Sequence, residues 1–143
     1  MQESDRFFTL EEANKTLPYV RQIVVDIVDA YGRWRAGVKS YELVAADSRG
    51  DLGETDEQVS LREEVDRIAR QINEYLEELS KVGCVFKGFD DGLVDFRSRL
   101  ADKEICLCWK LGEPEILYWH EPDEGFAGRK SIEPEPVHKG TLK

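Results

Sequence analysis

The chain has no apolar run approaching the ~20 residues that cross a bilayer, so its sequence holds no candidate membrane span. It has no dense Lys/Arg run either. Its 20 basic residues are outnumbered by 30 acidic ones, for a net charge of −10 and an isoelectric point of about 4.7. Phosphate binding needs clustered cations, so this balance argues against nucleic acid and anionic membranes as partners. The start, Met1-Gln2-Glu3-Ser4-Asp5-Arg6, lacks the basic stretch and apolar core of a signal peptide. Cysteines are few and odd in number: Cys84, Cys106 and Cys108. They read as reduced thiols of a cytoplasmic protein rather than a disulfide framework. There is no Walker pattern, dinucleotide fingerprint or nucleophile elbow, and no His-Glu-x-x-His.

What is present is periodic. Apolar residues fall at Val20, Val24, Ile27, Tyr31, Trp34, Val38 and Tyr41, and again at Leu61, Val65, Ile68, Ile72, Tyr75, Leu79 and Val82. Both rows step four, three, four, three, the a/d seam of a coiled coil. Two such helices joined by a short loop fold back on each other as an antiparallel hairpin. At 143 residues the chain suits one domain, 1–143, long enough to bury a core without staples. We expect a helical region over 9–83, a small antiparallel sheet over 84–131 and an extended tail over 132–143.

Local signals set the boundaries. Thr9 reads as an N-cap, with Glu12 closing a capping box. Pro18 lacks an N–H and disfavours helix at Leu17, so a break or kink is expected there. The long helix then restarts at Pro18 and runs to Ala45 or Ala46, roughly 40 Å at ~1.5 Å per residue. Gly32 and Gly37 weaken it by about 1 kcal/mol each, which the seam must offset. Asp47 to Glu54 reads as the loop. Thr55-Asp56-Glu57-Gln58 is a second capping box, and Gly83 ends the second helix.

After Gly83 the period drops to two. Cys84–Lys87, Leu93–Phe96, Ile105–Lys110 and Ile116–Glu121 read as four strands in a meander. A turn at Gly88-Phe89-Asp90-Asp91-Gly92 joins the first two. The tail carries Pro134 and Pro136 and reads as extended.

Trp119-His120-Glu121-Pro122-Asp123-Glu124-Gly125-Phe126 is the best candidate for chemistry, because it sets an imidazole beside three carboxylates at a strand end. Such a group suits a divalent ion, with His120 as a ligand, or general acid–base work. The plainer reading is a packed His120 with solvated carboxylates beside it.

Strand register decides whether the cysteines join. If Gly112-Glu113 is a two-residue turn, Lys110 lies opposite Glu115, Cys108 opposite Leu117, Cys106 opposite Trp119 and His120 opposite Ile105. This preferred register sets the cysteines on one face as small buried hydrophobes. It leaves His120 on the other face with Trp109 and Tyr118. A shift of one residue puts Cys106 beside His120.

Gly125-Phe126-Ala127-Gly128-Arg129-Lys130 offers glycines and cations for an anion. The plainer expectation is that Phe126 plugs the core and Arg129 pairs with a carboxylate such as Asp95.

Several blocks together form a pattern. Phe8-Thr9-Leu10-Glu11-Glu12-Ala13-Asn14 precedes Leu17-Pro18. Gly92-Leu93-Val94-Asp95-Phe96 and Cys106-Leu107-Cys108-Trp109 through Gly112-Glu113 follow, then Trp119-His120 and Gly125-Phe126-Ala127-Gly128-Arg129. In this order the chain resembles a bacterial family, domain of unknown function 2203. The resemblance implies a small cytosolic bacterial protein and carries no catalytic role. It marks Asp95, Trp109, Glu113, Trp119, His120, Phe126 and Arg129 as positions of interest.

The expected fold is therefore α+β: a long, coiled-coil-like helical hairpin followed by a small antiparallel sheet. The leading functional expectation is a cytosolic interaction or regulatory module. It would act as a homodimer or on another protein partner, without a cofactor. The alternative is a metal-dependent or acid–base enzyme. Its site would gather His120 with Glu121, Asp123 or Glu124, and with Glu113 and Arg129.

Overall fold

The computed structural model describes residues 6–47 and 53–132. The hairpin tip and the tail with Pro134 and Pro136 lie outside them. Two helices, α1 (Leu10–Asp47) and α2 (Asp56–Val82), pack against each other and lead into a five-stranded sheet. The strands are β1 (Val85–Gly88), β2 (Leu93–Leu100), β3 (Lys103–Lys110), β4 (Tyr118–His120) and β5 (Lys130–Ser131). All neighbours pair antiparallel, in the order β1-β2-β3-β4-β5. The fold is α+β, as the change of period implies.

Both capping boxes form. Thr9 Oγ1 accepts from the Glu12 N–H, and the Glu12 carboxylate accepts from the Thr9 N–H, each at 3.0 Å. Thr55 and Gln58 repeat this at the start of α2, and Gly83 closes its end with φ 112°. α1 continues through Pro18 without a break. Pro18 lies on the exposed side, while Ala13, Leu17 and Val20 are buried on the other. Burying that row, at about 1.5–3 kcal/mol per large side chain, offsets a proline penalty of about 3 kcal/mol.

The hairpin is antiparallel. Near its far end Tyr41 Oη donates to the Glu54 carboxylate at 2.6 Å, and Arg62 grips the same carboxylate at 3.0 Å. At its base, Leu79 joins Phe8, Leu17, Val20 and Val24 in the main core. Gly37 has a packing role, because a Cβ there would lie 2.9 Å from Val65 Cγ2.

The sheet turns one face to the helices. Val94, Phe96, Ile105, Leu107 and Trp109 are fully buried among Val20, Val24 and Ile27. Gly92 makes the closest approach. Its φ is +69°, and a Cβ would meet Val24 Cγ1 and Leu111 Cβ at 2.9 Å. Phe8 ties the N-terminal segment on: its N–H donates to the Arg97 carbonyl, and its carbonyl accepts from Ser98 Oγ at 2.6 Å.

Coverage is uneven along the hairpin. Fully buried residues on α1 end at Ala30, although the helix continues to Asp47. The stretch beyond Ala30 forms an arm of about 25 Å. There Trp34, Val38, Tyr41 and Val44 are only half-buried, as are Leu61 and Val65 on α2.

Candidate functional site

Strand alternation points one residue in two away from the helices. On β2 the outward side chains include Asp95 and Arg97, and on β3 Cys106 and Cys108. The β3–β4 register then decides what β4 adds. Cys106 pairs with His120, Leu107 with Trp119 and Cys108 with Tyr118. This is the shifted register and not the preferred one. A two-residue turn at Gly112-Glu113 is replaced by a longer connection over 111–117. Within it the Glu113 N–H donates to the Lys110 carbonyl at 3.0 Å. The Lys110 N–H donates to the Glu113 carboxylate at 2.9 Å, and the Ile116 N–H to Asn14 Oδ1 on α1 at 2.8 Å. These bonds hold residues 111–117 in a loop. His120 consequently shares the outward face with Cys106, Cys108, Tyr118 and Asp95, and Trp109 lies on the inner face.

His120 is 3% exposed and Asp95 5% exposed. His120 Nε2 lies 3.1 Å from Asp95 Oδ1, and His120 Nδ1 lies 2.7 Å from the Glu121 carbonyl oxygen. A carbonyl only accepts, so Nδ1 carries a hydrogen. Lys87 Nζ, on β1, lies 3.8 Å from Asp95 Oδ2. Cys106, opposite His120, completes a group of three donor atoms within 4.8 Å of one another. Cys108 sits opposite Asp95. Burial first, and then the Asp95 carboxylate, push its thiol up to about 12.

The carboxylates expected around His120 go elsewhere. Glu121 pairs with Lys103. Glu124 accepts from the Glu121 N–H at 3.1 Å and pairs with Lys130 at 3.0 Å. Its acidity is raised, by the Glu121 N–H first and Lys130 next. Asp123 is exposed. The carboxylate that faces His120 comes from β2, 25 residues earlier.

Arg129 and Glu113 form a second unit. Arg129 Nη2 lies 2.8 and 2.7 Å from the two Glu113 oxygens, with 10% and 18% of these side chains exposed. The expected Arg129–Asp95 pair is thus replaced by Arg129–Glu113. The guanidinium lies 3.9 Å from the Tyr118 ring centroid and 4.7 Å from that of Phe126. Phe126 opens a 3-10 turn and is 46% exposed, so it forms a lid over Arg129 and does not enter the core. Trp109 is fully buried, its Nε1 donating to the Glu113 carbonyl at 2.9 Å. Trp119 packs on the main core under Lys130.

Sequence reasoning named His120, Asp95, Glu113 and Arg129 but not their pairings, and it read Cys106 as a hydrophobe. The alternative register was the signal for Cys106. The Asn14 anchor that selects it lies 102 residues from Ile116.

Hairpin, five-stranded meander and buried Asp-His-Cys group together define a small α+β domain with a polar centre on its outer sheet face. By family, the chain belongs to the uncharacterized conserved proteins DUF2203, whose model matches residues 6–132. No curated protein and no solved structure matches it. No helix of the described residues is long and apolar enough to cross a membrane.

Proposed function

We propose that the protein is a cytoplasmic interaction module that acts as a homodimer through the arm of its hairpin. The observation that carries this reading is the half-buried seam beyond Ala30. Trp34 packs on the small cluster of Ala30, Ile68 and Ile72, and Trp34, Val38, Tyr41, Leu61 and Val65 all stay only half-buried. Two-helix layers leave such residues partly wet, and a second hairpin laid against the first removes them from water. Aromatics suit that role, since they contribute large area at interfaces. Leu43, at 60% exposure, extends the apolar surface outward.

The occupant that fits is a second copy of this chain. The arm of α1 carries Arg33, Arg35 and Lys39 against Glu42, and the start of α2 carries Asp56, Glu57, Glu63, Glu64 and Asp66 against Arg62 and Arg67. A two-fold pairing sets each α1 arm, net basic, against its partner's α2 arm, net acidic. Light scattering on the eluting protein tests this. The expected mass is twice 16.5 kDa, and Leu43→Glu is expected to halve it. A wild-type monomer at tens of micromolar overturns the reading.

A second reading, an acid–base or metal-dependent enzyme, is favoured by one observation: the Asp95 carboxylate 3.1 Å from His120. A buried imidazole held by a carboxylate is the arrangement such chemistry uses.

A further inference from the structure

The outer face of the sheet brings together three donors of different chemistry, one from each of three adjacent strands. Asp95 supplies a carboxylate oxygen, Cys106 a sulfur and His120 a ring nitrogen, all within 4.8 Å of one another. The hydrogen-bond pattern limits what lies between them. His120 Nδ1 spends its hydrogen on the Glu121 carbonyl, and Nε2 faces Asp95 Oδ1 at 3.1 Å. The space between that nitrogen and that carboxylate takes either a proton or a metal ion.

Three features suit a metal ion. The third donor is a thiol, a strong zinc ligand as the thiolate. Two nitrogen or oxygen ligands on a tetrahedral zinc ion, with bonds of ~2.0–2.1 Å, stand about 3.3 Å apart, close to the observed separation. Finally, a histidine that donates its remote N–H to a backbone carbonyl has the fixed tautomer of a metal ligand.

We propose that Asp95, Cys106 and His120 bind a divalent transition-metal ion of the zinc class. Mixed nitrogen, oxygen and sulfur donors suit zinc and cobalt and exclude magnesium and calcium. Binding replaces the Cys106 S–H bond with a sulfur–metal bond and releases that proton to solvent. Three protein ligands leave a fourth coordination position for water or an added ligand. The inference stands apart from self-association and gives the enzyme reading its cofactor.

The experiment is a titration of the chelator-treated full chain with cobalt(II), followed by zinc(II) competition. The expected result is one equivalent bound, with a thiolate-to-cobalt charge-transfer band that zinc abolishes. The band is expected to vanish in Cys106→Ala, which removes one sulfur from a position 9% exposed. It is expected to persist in Cys84→Ala, whose sulfur lies in the main core. A further measurement uses only the wild type: zinc is expected to slow alkylation of Cys106 at least tenfold. Absence of the band, its survival in folded Cys106→Ala, or unchanged alkylation would overturn the proposal. None of these results bears on the dimer.

Discussion

Asp95 and His120 meet at 3.1 Å across the top of a strand that belongs to neither of them. Asp95 is on β2, His120 on β4, and β3 passes beneath with Cys106 and Cys108. The contact exists only because the β3–β4 register places Cys106 opposite His120. A slip of one residue would turn His120 toward the helices.

Replacement of Asp95 discriminates its roles. Asparagine keeps the shape and can still hydrogen-bond Nε2, so Asp95→Asn is expected to lose less than about 1 kcal/mol in urea unfolding. Alanine strands a buried imidazole, and Asp95→Ala is expected to lose about 3 kcal/mol or more. Equal losses for the two variants would mean that the pair is not made in solution.

The Arg129–Glu113 unit is largely desolvated and stacked on Tyr118. Arg129→Lys keeps the charge but loses the planar stack, so a loss of about 1–2 kcal/mol is expected. A double-mutant cycle of Arg129→Ala with Glu113→Ala is expected to show coupling of at least about 1 kcal/mol. Additive losses would contradict the pairing.

Two glycines are predicted to respond in opposite ways. Gly92→Ala places a Cβ at positive φ and 2.9 Å from Val24 Cγ1 and Leu111 Cβ. It is expected to cost at least about 2 kcal/mol. Gly32 lies in α1 with nothing within 4 Å of an added Cβ, so Gly32→Ala is expected to stabilise by up to about 1 kcal/mol. Thermal denaturation of both variants checks the contrast.

Cys84 gives a pH dependence. It is 3% exposed, and burial pushes its thiol up to about 12. The unfolded value is about 8.5, so the folded state keeps a proton that the unfolded state releases. The resulting stabilisation is fully present below about pH 8.5 and is lost as pH rises toward the folded value. Between about pH 8 and 10, wild type is expected to lose more stability than Cys84→Ala. Parallel curves for the two would contradict this.

Much of the fold was legible because it follows from local chemistry. Thr9 with Glu12, Thr55 with Gln58 and Gly83 mark helix ends through bonds spanning a few residues, and the two apolar rows identify the paired faces. Pro18 does not end the helix, because its local penalty is smaller than the burial of Leu17 and Val20 on the opposite side. The extent of β2 and β3 beyond Phe96 and Ile105 was hidden by charge, since Arg97, Arg99, Lys103 and Glu104 interrupt the apolar alternation. The short β5 pairs at only two positions and carries almost no signal. His120 stood out in the sequence, but its neighbours Asp95 and Cys106 were lost to one residue of register. That register is held by Asn14, and a short-range pattern cannot see a bond from α1 to the β3–β4 connection.

The most direct measurement of the polar centre is a long-range proton–nitrogen NMR spectrum of the labelled histidines, before and after one equivalent of zinc. His120 is expected to carry its hydrogen on Nδ1 throughout, with Nε2 alone shifting when zinc is added. A His120 with an unprotonated Nδ1, or with an Nε2 that zinc leaves unmoved, would contradict the centre described above.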